Sequence, residues 1–271
     1  MELVREHKTK HISFSEYSIL QGCTHRHKIQ YMDKVRTPGG PALYFGSLIH
    51  EALEAIVNQK EYTNIQFEKK FKQATIKFAN ELKYSKNAEF IKIRTSFRES
   101  HVKKMLKCGP LLLDILRDFN WQDYNTIGTE IPLYTDLVEN KHFKGYIDWV
   151  YKKDNIYYIA DFKTSEKGWG PYNRKDMLKR TQLLLYKWFF AKTNNIPLEQ
   201  IKTQFIIIKW TGKTNNIEFF DIPSTNKKVQ KVVANLEQIA VMLLRDKRVI
   251  MKNRASCRFC PFENTTYCTN D

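Results

Sequence analysis

Apolar residues recur along the chain in two rhythms. In Gly46 to Lys60 the residues Leu48, Ile49, Ala52, Leu53, Ile56 and Val57 form a stripe at helical spacing. A second helical stripe, Leu178, Leu184, Leu185, Trp188 and Phe189, lies within Arg174 to Lys192, and a third helix is expected from Ser224 to about Arg245. From Asn64 to Asn120 the pattern is helical again (Phe67, Phe71, Ile76, Phe78, Leu82, then Ile91, Phe97, Val102, Leu106) and rich in Lys and Arg, Arg94 among them. It reads as a helical insert. Near the start, Ser13 to Val35 predicts a helix entered from Ser-Phe-Ser, which Pro38-Gly39-Gly40-Pro41 breaks. Strand-like segments fill Asn125 to Lys163, Gln204 to Trp210 and Ile217 to Asp221. This mixed order suits a small mixed β-sheet flanked by helices, an α/β fold.

Within the strand region, His142 to Tyr151 and Ile156 to Lys163 flank the polar, turn-prone Lys152-Lys153-Asp154-Asn155 and read as a β-hairpin. If Asp154-Asn155 is a two-residue loop, Lys153 pairs with Ile156 and counting outward sets Asp148 opposite Asp161, with Cβ atoms about 5 Å apart. Alternation puts Lys163 on the face of Asp161 and turns Phe162 the other way, into a core. A slip of one residue would separate the carboxylates. Two carboxylates beside an ammonium are the parts that phosphodiester hydrolysis requires: oxygen ligands for Mg²⁺ or Mn²⁺, and a cation to orient water or offset developing charge. Alone, the same residues fit an exposed hairpin with a surface ion pair.

Other residues add to the pattern. His50 and Glu54 sit one turn apart on their helix, where the imidazole can enter a metal's shell. Gln182 and Tyr186 are likewise one turn apart, placed to hydrogen-bond DNA or to orient Lys163; each also fits the polar border of a packed helix. In Glu166-Lys167-Gly168-Trp169-Gly170-Pro171, a loop following the second strand, Trp169 and Tyr172 are candidates for stacking on unpaired bases, with Arg174 for a phosphate contact. Gly212-Lys213-Thr214 resembles the end of a phosphate-binding loop, but Ile207 replaces the first glycine and a strand follows, so a hairpin turn is expected.

Charge changes the picture further. The 271-residue chain carries 45 Lys and Arg against 29 Asp and Glu, a net +16 that attracts polyanions, DNA or RNA first. No apolar run approaches the roughly 20 residues of a membrane-spanning helix. The cysteines form a separate pattern: Cys257 and Cys260 with a two-residue gap, Cys268 beyond them, and Cys23 far upstream. Four thiolates can close one metal site, with Zn²⁺ or an iron-sulfur cluster as occupants and His25 or His27 as substitutes; Cys108 reads as a small buried residue. The odd count and the lack of a signal peptide point to a reducing compartment, the cytoplasm of a bacterium or a virus-infected cell.

Taken in order, Gly46-x-x-x-His50-x-x-x-Glu54, Asp148, Asp161-Phe162-Lys163 and Gln182-x-x-x-Tyr186 resemble the PD-(D/E)XK nuclease superfamily, and within it the RecB-like exonuclease branch that includes the RecB and AddB nuclease domains and CRISPR-associated nucleases. The resemblance implies a restriction-endonuclease-like core spanning 1–271 as a single domain, with a helical insert at about 64–120 and a C-terminal cysteine segment at 251–271. It implies His50, Asp148, Asp161 and the carbonyl of Phe162 as metal ligands, Lys163 as the catalytic lysine, Gln182 and Tyr186 as a supporting motif, and Glu130 as a further acidic residue acting through water. Ile147 stands before Asp148 where the superfamily's name has Pro, as is usual in this branch. It also implies that Cys23, Cys257, Cys260 and Cys268 bind a [4Fe-4S] cluster joining the N- and C-terminal segments. Departures are Thr24 in place of Pro and a longer last gap. The function expected is a Mg²⁺- or Mn²⁺-dependent DNA exonuclease for single strands or DNA ends, in recombination, repair or viral genome processing, with any unwinding supplied by a helicase partner. The alternative is a DNA-binding recombination scaffold whose nuclease site is vestigial.

Overall fold

A computed structural model describes residues 10–37, 39–84, 98–212, 214–245 and 249–269. Ile91, Arg94 and Phe97 of the expected insert, and Lys213 of the expected turn, lie outside these residues.

At the centre is a mixed six-stranded sheet. Strands β2 (Asn125–Val138), β3 (Lys141–Lys153) and β4 (Ile156–Ser165) form an antiparallel meander. Then β5 (Ile201–Lys209) joins β4 in parallel, and β6 (Ile217–Ile222) closes that side antiparallel to β5. A three-residue strand, β1 (His11–Ser13), runs parallel to β3 at His142 to Lys144. The edge of β3 facing β4 is thus shared: β1 takes its first part, and β4 pairs only from Trp149 onward. Asp148 lies in the interval between them.

Helices cover both faces. On one lie α1 (Phe14–Gly22), α7 (Met177–Asn194) and α8 (Asn226–Leu244), whose Leu183, Phe189, Val233 and Leu236 pack on Phe143, Ile147, Phe205 and Ile207. On the other, α3 (Pro41–Val57), α4 (Asn64–Tyr84) and α5 (Glu99–Asp118) enclose Trp149, Tyr151, Phe162, Ile206 and Ile208. Gly109 of α5 lets the ring of Phe67 approach so closely that any Cβ there would stand 2.2 Å from it, which seats α5 on α4. The mixed sheet with flanking helices is the α/β architecture expected, and α4 and α5 pack with α3 in one core.

Three expected helices differ in detail. Instead of one helix over Ser13 to Val35, the chain forms α1, a short α2 (Thr24–His27) and a π-helical turn (Lys28–Met32), because Cys23 is extended (φ −163°, ψ 113°). Its Sγ accepts the Arg26 N–H at 3.5 Å and so caps α2. The second helix starts at Pro41 rather than Gly46: proline's fixed φ suits a first helical position, so the residue read as a breaker is also the start. The stripe from Arg174 is interrupted at Asp176, after α6 (Pro171–Lys175), since the Asp176 carboxylate accepts the N–H groups of Leu178 and Lys179 and caps α7.

Candidate active site

The site forms where the β3–β4 ladder stops. Asp154 and Asn155 both adopt positive φ (49° and 61°), the two-residue turn that the register needs, and Lys153 pairs with Ile156. Pairing continues to Trp149 and Ala160. At the next position Asp148 Oδ2 accepts the Phe162 N–H at 2.8 Å, so a carboxylate takes the place of a ladder bond.

Asp161 is 1% exposed, ion-paired through Oδ2 with Lys163 Nζ at 2.5 Å, yet that oxygen has no hydrogen bond of acceptable direction. Asp148 is held far above the usual carboxylate range, by burial first and then by the charge of Asp161. Burial pulls the Lys163 ammonium down, but Asp161 and Asp148 outweigh it and hold Lys163 above its ordinary value. From α3, His50 Nδ1 approaches Asp148 Oδ2 at 3.4 Å, and its ring meets that of Phe162 edge-on at 6.0 Å. Burial lowers the pKa of His50 despite Asp161 nearby, leaving a neutral imidazole with an available lone pair.

Across the sheet, Lys163 Nζ reaches Gln182 Oε1 at 3.5 Å, and Gln182 Nε2 donates to Tyr186 Oη at 3.1 Å. The Gln-x-x-x-Tyr pair therefore backs Lys163. Glu130, at positive φ (46°), lines a cleft of about 500 Å³ with Glu54, His50, Phe162, Lys163 and the first turns of α3. Burial, followed by Glu54 and Asp161, raises its pKa. Glu130, His50 and Lys163 thus share the wall of one cleft, Asp161 and Gln182 contact Lys163, Asp148 contacts His50, and Tyr186 stands behind Gln182. Among the described residues no three His, Cys, Asp or Glu side chains are closed into a metal-holding set; Asp148 is turned to the Phe162 N–H and Asp161 to Lys163.

Gly145 escaped the sequence reading. A Cβ here would stand 2.8 Å from Tyr186 and 3.3 Å from Phe143, so the missing side chain is the seat of the Tyr186 ring. An isolated glycine inside an otherwise regular strand was the available signal. Gly145→Ala should displace Tyr186, loosen Gln182 from Lys163 and lower kcat by roughly 10-fold, with metal affinity in titration calorimetry unchanged. Unaltered kcat would remove Tyr186 from the supporting network.

The expected nucleic-acid residues divide. Tyr172 is 81% exposed. Trp169 instead packs on Phe205 (ring centroids 4.9 Å) beneath Lys179, and Arg174 binds the Trp169 carbonyl at 2.8 Å and pairs with Glu218. These two brace the loop after β4, so the stacking role expected of Trp169 and the phosphate contact of Arg174 are not supported by the structure. Gly212 lies in the β5–β6 connection, where Asn216 Nδ2 bridges the carbonyls of Lys209 and Gly212, a hairpin turn as expected.

Apart from these residues, Cys23, Cys257, Cys260 and Cys268 line one small cavity with His25. Burial raises the pKa of Cys268, Lys252 opposes it, and the other three thiols add to the rise. His25 Nε2 is engaged with the Tyr267 carbonyl at 3.0 Å, and His27 with buried Glu16 at 2.9 Å. Cys108, half-buried, packs against the core under α3.

A family model described as the PD-(D/E)XK nuclease superfamily matches residues 11–266. Among solved structures, the chain is similar to a crystal structure from Eubacterium rectale named "Putative exonuclease", with TM-score 0.53 and 11% identity over 96% of this chain and 91% of the other. That likeness is one of fold. A second, named SSO0001, aligns over 92% and 93% of the two chains at 13% identity and TM-score 0.36, and carries no argument. No curated protein matches.

Proposed function

Because the chain belongs to the PD-(D/E)XK nuclease superfamily, and so is a nuclease that hydrolyses phosphodiester bonds, we propose that it is a RecB-like exonuclease acting on single-stranded DNA or DNA ends with Mg²⁺ or Mn²⁺. The observation that carries this reading is the pairing of Asp161 with Lys163 and of Asp148 with His50 and the Phe162 N–H, beside a cleft lined by His50, Phe162 and Lys163. Oxygen donors and a neutral imidazole fit a hard divalent ion. His50, Asp148, Asp161 and the Phe162 carbonyl would hold it. When bound, the ion supplies polarisation of the phosphoryl oxygen and a more acidic water.

The chain's own groups do the rest. Lys163, kept charged by Asp161, offsets negative charge that develops on the phosphate. Gln182 fixes the ammonium, and Tyr186 fixes Gln182. Glu130 supports the site through water. The exonuclease assignment draws on the RecB-like motif order and on the name of the Eubacterium rectale neighbour.

The proposal treats 1–271 as one domain with the insert at 64–120 and the cysteine segment at 251–271. The four cysteines hold a [4Fe-4S] cluster, with zinc as the competing occupant; support comes from the one cavity that all four line. No phosphate-binding loop is recognised in the sequence, so unwinding falls to a helicase or recombination partner. No helix of the described residues is long and apolar enough to cross a membrane. Labelled single- and double-stranded DNA, incubated with and without Mn²⁺ and resolved on gels, tests the reading. Mn²⁺-dependent products that shorten from an end are expected. A retarded band without products would instead establish the scaffold alternative.

A further inference from the structure

We propose that the uncovered face of the β1–β3–β2 part of the sheet is a stacking track that guides unpaired DNA bases to the catalytic cleft, a proposal that rests on the nuclease reading above. Phe143, Gly145 and Ile147 of β3 face α7, as do Leu133 and Leu137 of β2. Their alternates His142, Lys144 and Tyr146, and across the ladder Asp136, Tyr134 and Pro132, therefore point to the opposite face. That is the side of α3, but from β3 its core takes in only Trp149 and Tyr151. The row beyond is open to solvent: Tyr134 is 57% exposed and Tyr146 47%.

The row is ordered rather than loose. Tyr134 stacks on His142 with centroids 4.6 Å apart at 29°, and His11 of β1 meets Tyr134 edge-on at 6.4 Å. His142 Nδ1 is held by Asp136 Oδ1 at 2.8 Å. Three rings from three strands thus stand side by side. Tyr146 continues the line toward the site, two residues, or about 7 Å, before Asp148.

The chemistry of the row selects its occupant. Aromatic planes on an open sheet offer π-faces that any base can cover, and stacking needs no particular sequence. In a duplex those base faces are already covered by neighbours, so the row distinguishes unpaired from paired DNA. Lys144 lies cross-strand from Tyr134, in a chain of net charge +16, and gives the row a cation for the accompanying phosphates. Continuity with the cleft supplies direction: a strand laid on His11, Tyr134 and Tyr146 arrives at Asp148.

The test uses fluorescence anisotropy of a labelled oligothymidylate of about 16 nucleotides, in EDTA so that no hydrolysis intervenes, beside a blunt duplex of equal length. Tyr134→Ala and Tyr146→Ala should each weaken oligothymidylate binding by about 5-fold or more and leave the duplex unaffected. Tyr134→Phe, which keeps the ring, should bind as the wild type does. Undiminished oligothymidylate affinity in the double alanine variant overturns the track, as does an equal loss for duplex, or a change in oligomeric state with binding intact. Circular dichroism of the variants guards against misfolding. Failure of the wild type to cleave with Mn²⁺ would overturn the nuclease reading and leave this binding result to be judged by itself.

Discussion

Asp161→Ala and Lys163→Ala are each expected to lower metal-dependent DNA cleavage by roughly 1,000-fold or more. Asp161 is almost fully buried at the point where β4 leaves its ladder with β3, and Phe205 of β5 pairs with it on the other side, so little else in the chain can move into its place. Lys163 is the cation nearest the two carboxylates and is itself braced by Gln182. Circular dichroism should show an unchanged fold in the Asp161 variant, since losing one of two neighbouring negative charges relieves Asp148. Unchanged turnover in both variants would rule out this site.

A third substitution separates electrostatics from chemistry. Asp148→Asn keeps an oxygen to accept the Phe162 N–H but removes a buried ionisable carboxyl beside Asp161. Since the folded-state pKa of Asp148 is raised, by burial and then by Asp161, the folded protein retains a proton that the unfolded chain releases. The penalty is therefore absent at low pH and grows as pH rises above the usual carboxylate range. Metal-free Asp148→Asn should accordingly melt higher than wild type at neutral pH and show a smaller rise in Tm on adding Mn²⁺. A larger Mn²⁺-induced rise in the variant would take Asp148 out of the ligand set.

How much of this was readable beforehand follows from the range of the forces involved. The Asp154-Asn155 turn and strict alternation are local, and they fixed both the register and the inward turn of Phe162. The i,i+4 spacing likewise put His50 and Glu54, and Gln182 and Tyr186, on single faces that the structure points into the cleft or toward Lys163. Long-range effects were not legible. Nothing near Gly145 in sequence announces that a tyrosine 41 positions later needs its empty side chain. Trp169 was read as a base-stacking residue because it lies in a glycine-rich loop, but its ring is claimed by Phe205, which only the tertiary fold brings near. The extended Cys23 that splits the first helix serves a cap and a cavity shared with the far end of the chain.

That shared cavity gives the second large effect: Cys260→Ser should lower the apparent Tm by on the order of 10 °C and abolish the visible absorption of anaerobically prepared protein. The C-terminal segment shares a very small core with the N-terminal region, with Ile29, Cys260 and Phe262 buried and Val35, Tyr267 and Cys268 packed around them. Beyond that core, the two ends are joined by exposed or half-exposed hydrogen bonds, among them Asn253 and Ser256 to the Gly22 carbonyl (both 2.8 Å), and Thr24 Oγ1 to Val249 O at 3.0 Å. Each contributes about 1 kcal/mol at most, and water competes for all of them. A cluster bridging Cys23 to the three C-terminal thiolates would bind the folded arrangement far better than the unfolded chain, so its ligation energy would appear as folding energy. Serine at 260 keeps the size of the side chain and removes the soft ligand, so a large loss of stability would report ligation rather than packing. The same loss in a colourless protein holding stoichiometric zinc would replace the cluster with a zinc staple. An unaltered Tm would mean that the two chain ends are held by their small shared core and their hydrogen bonds, without a metal.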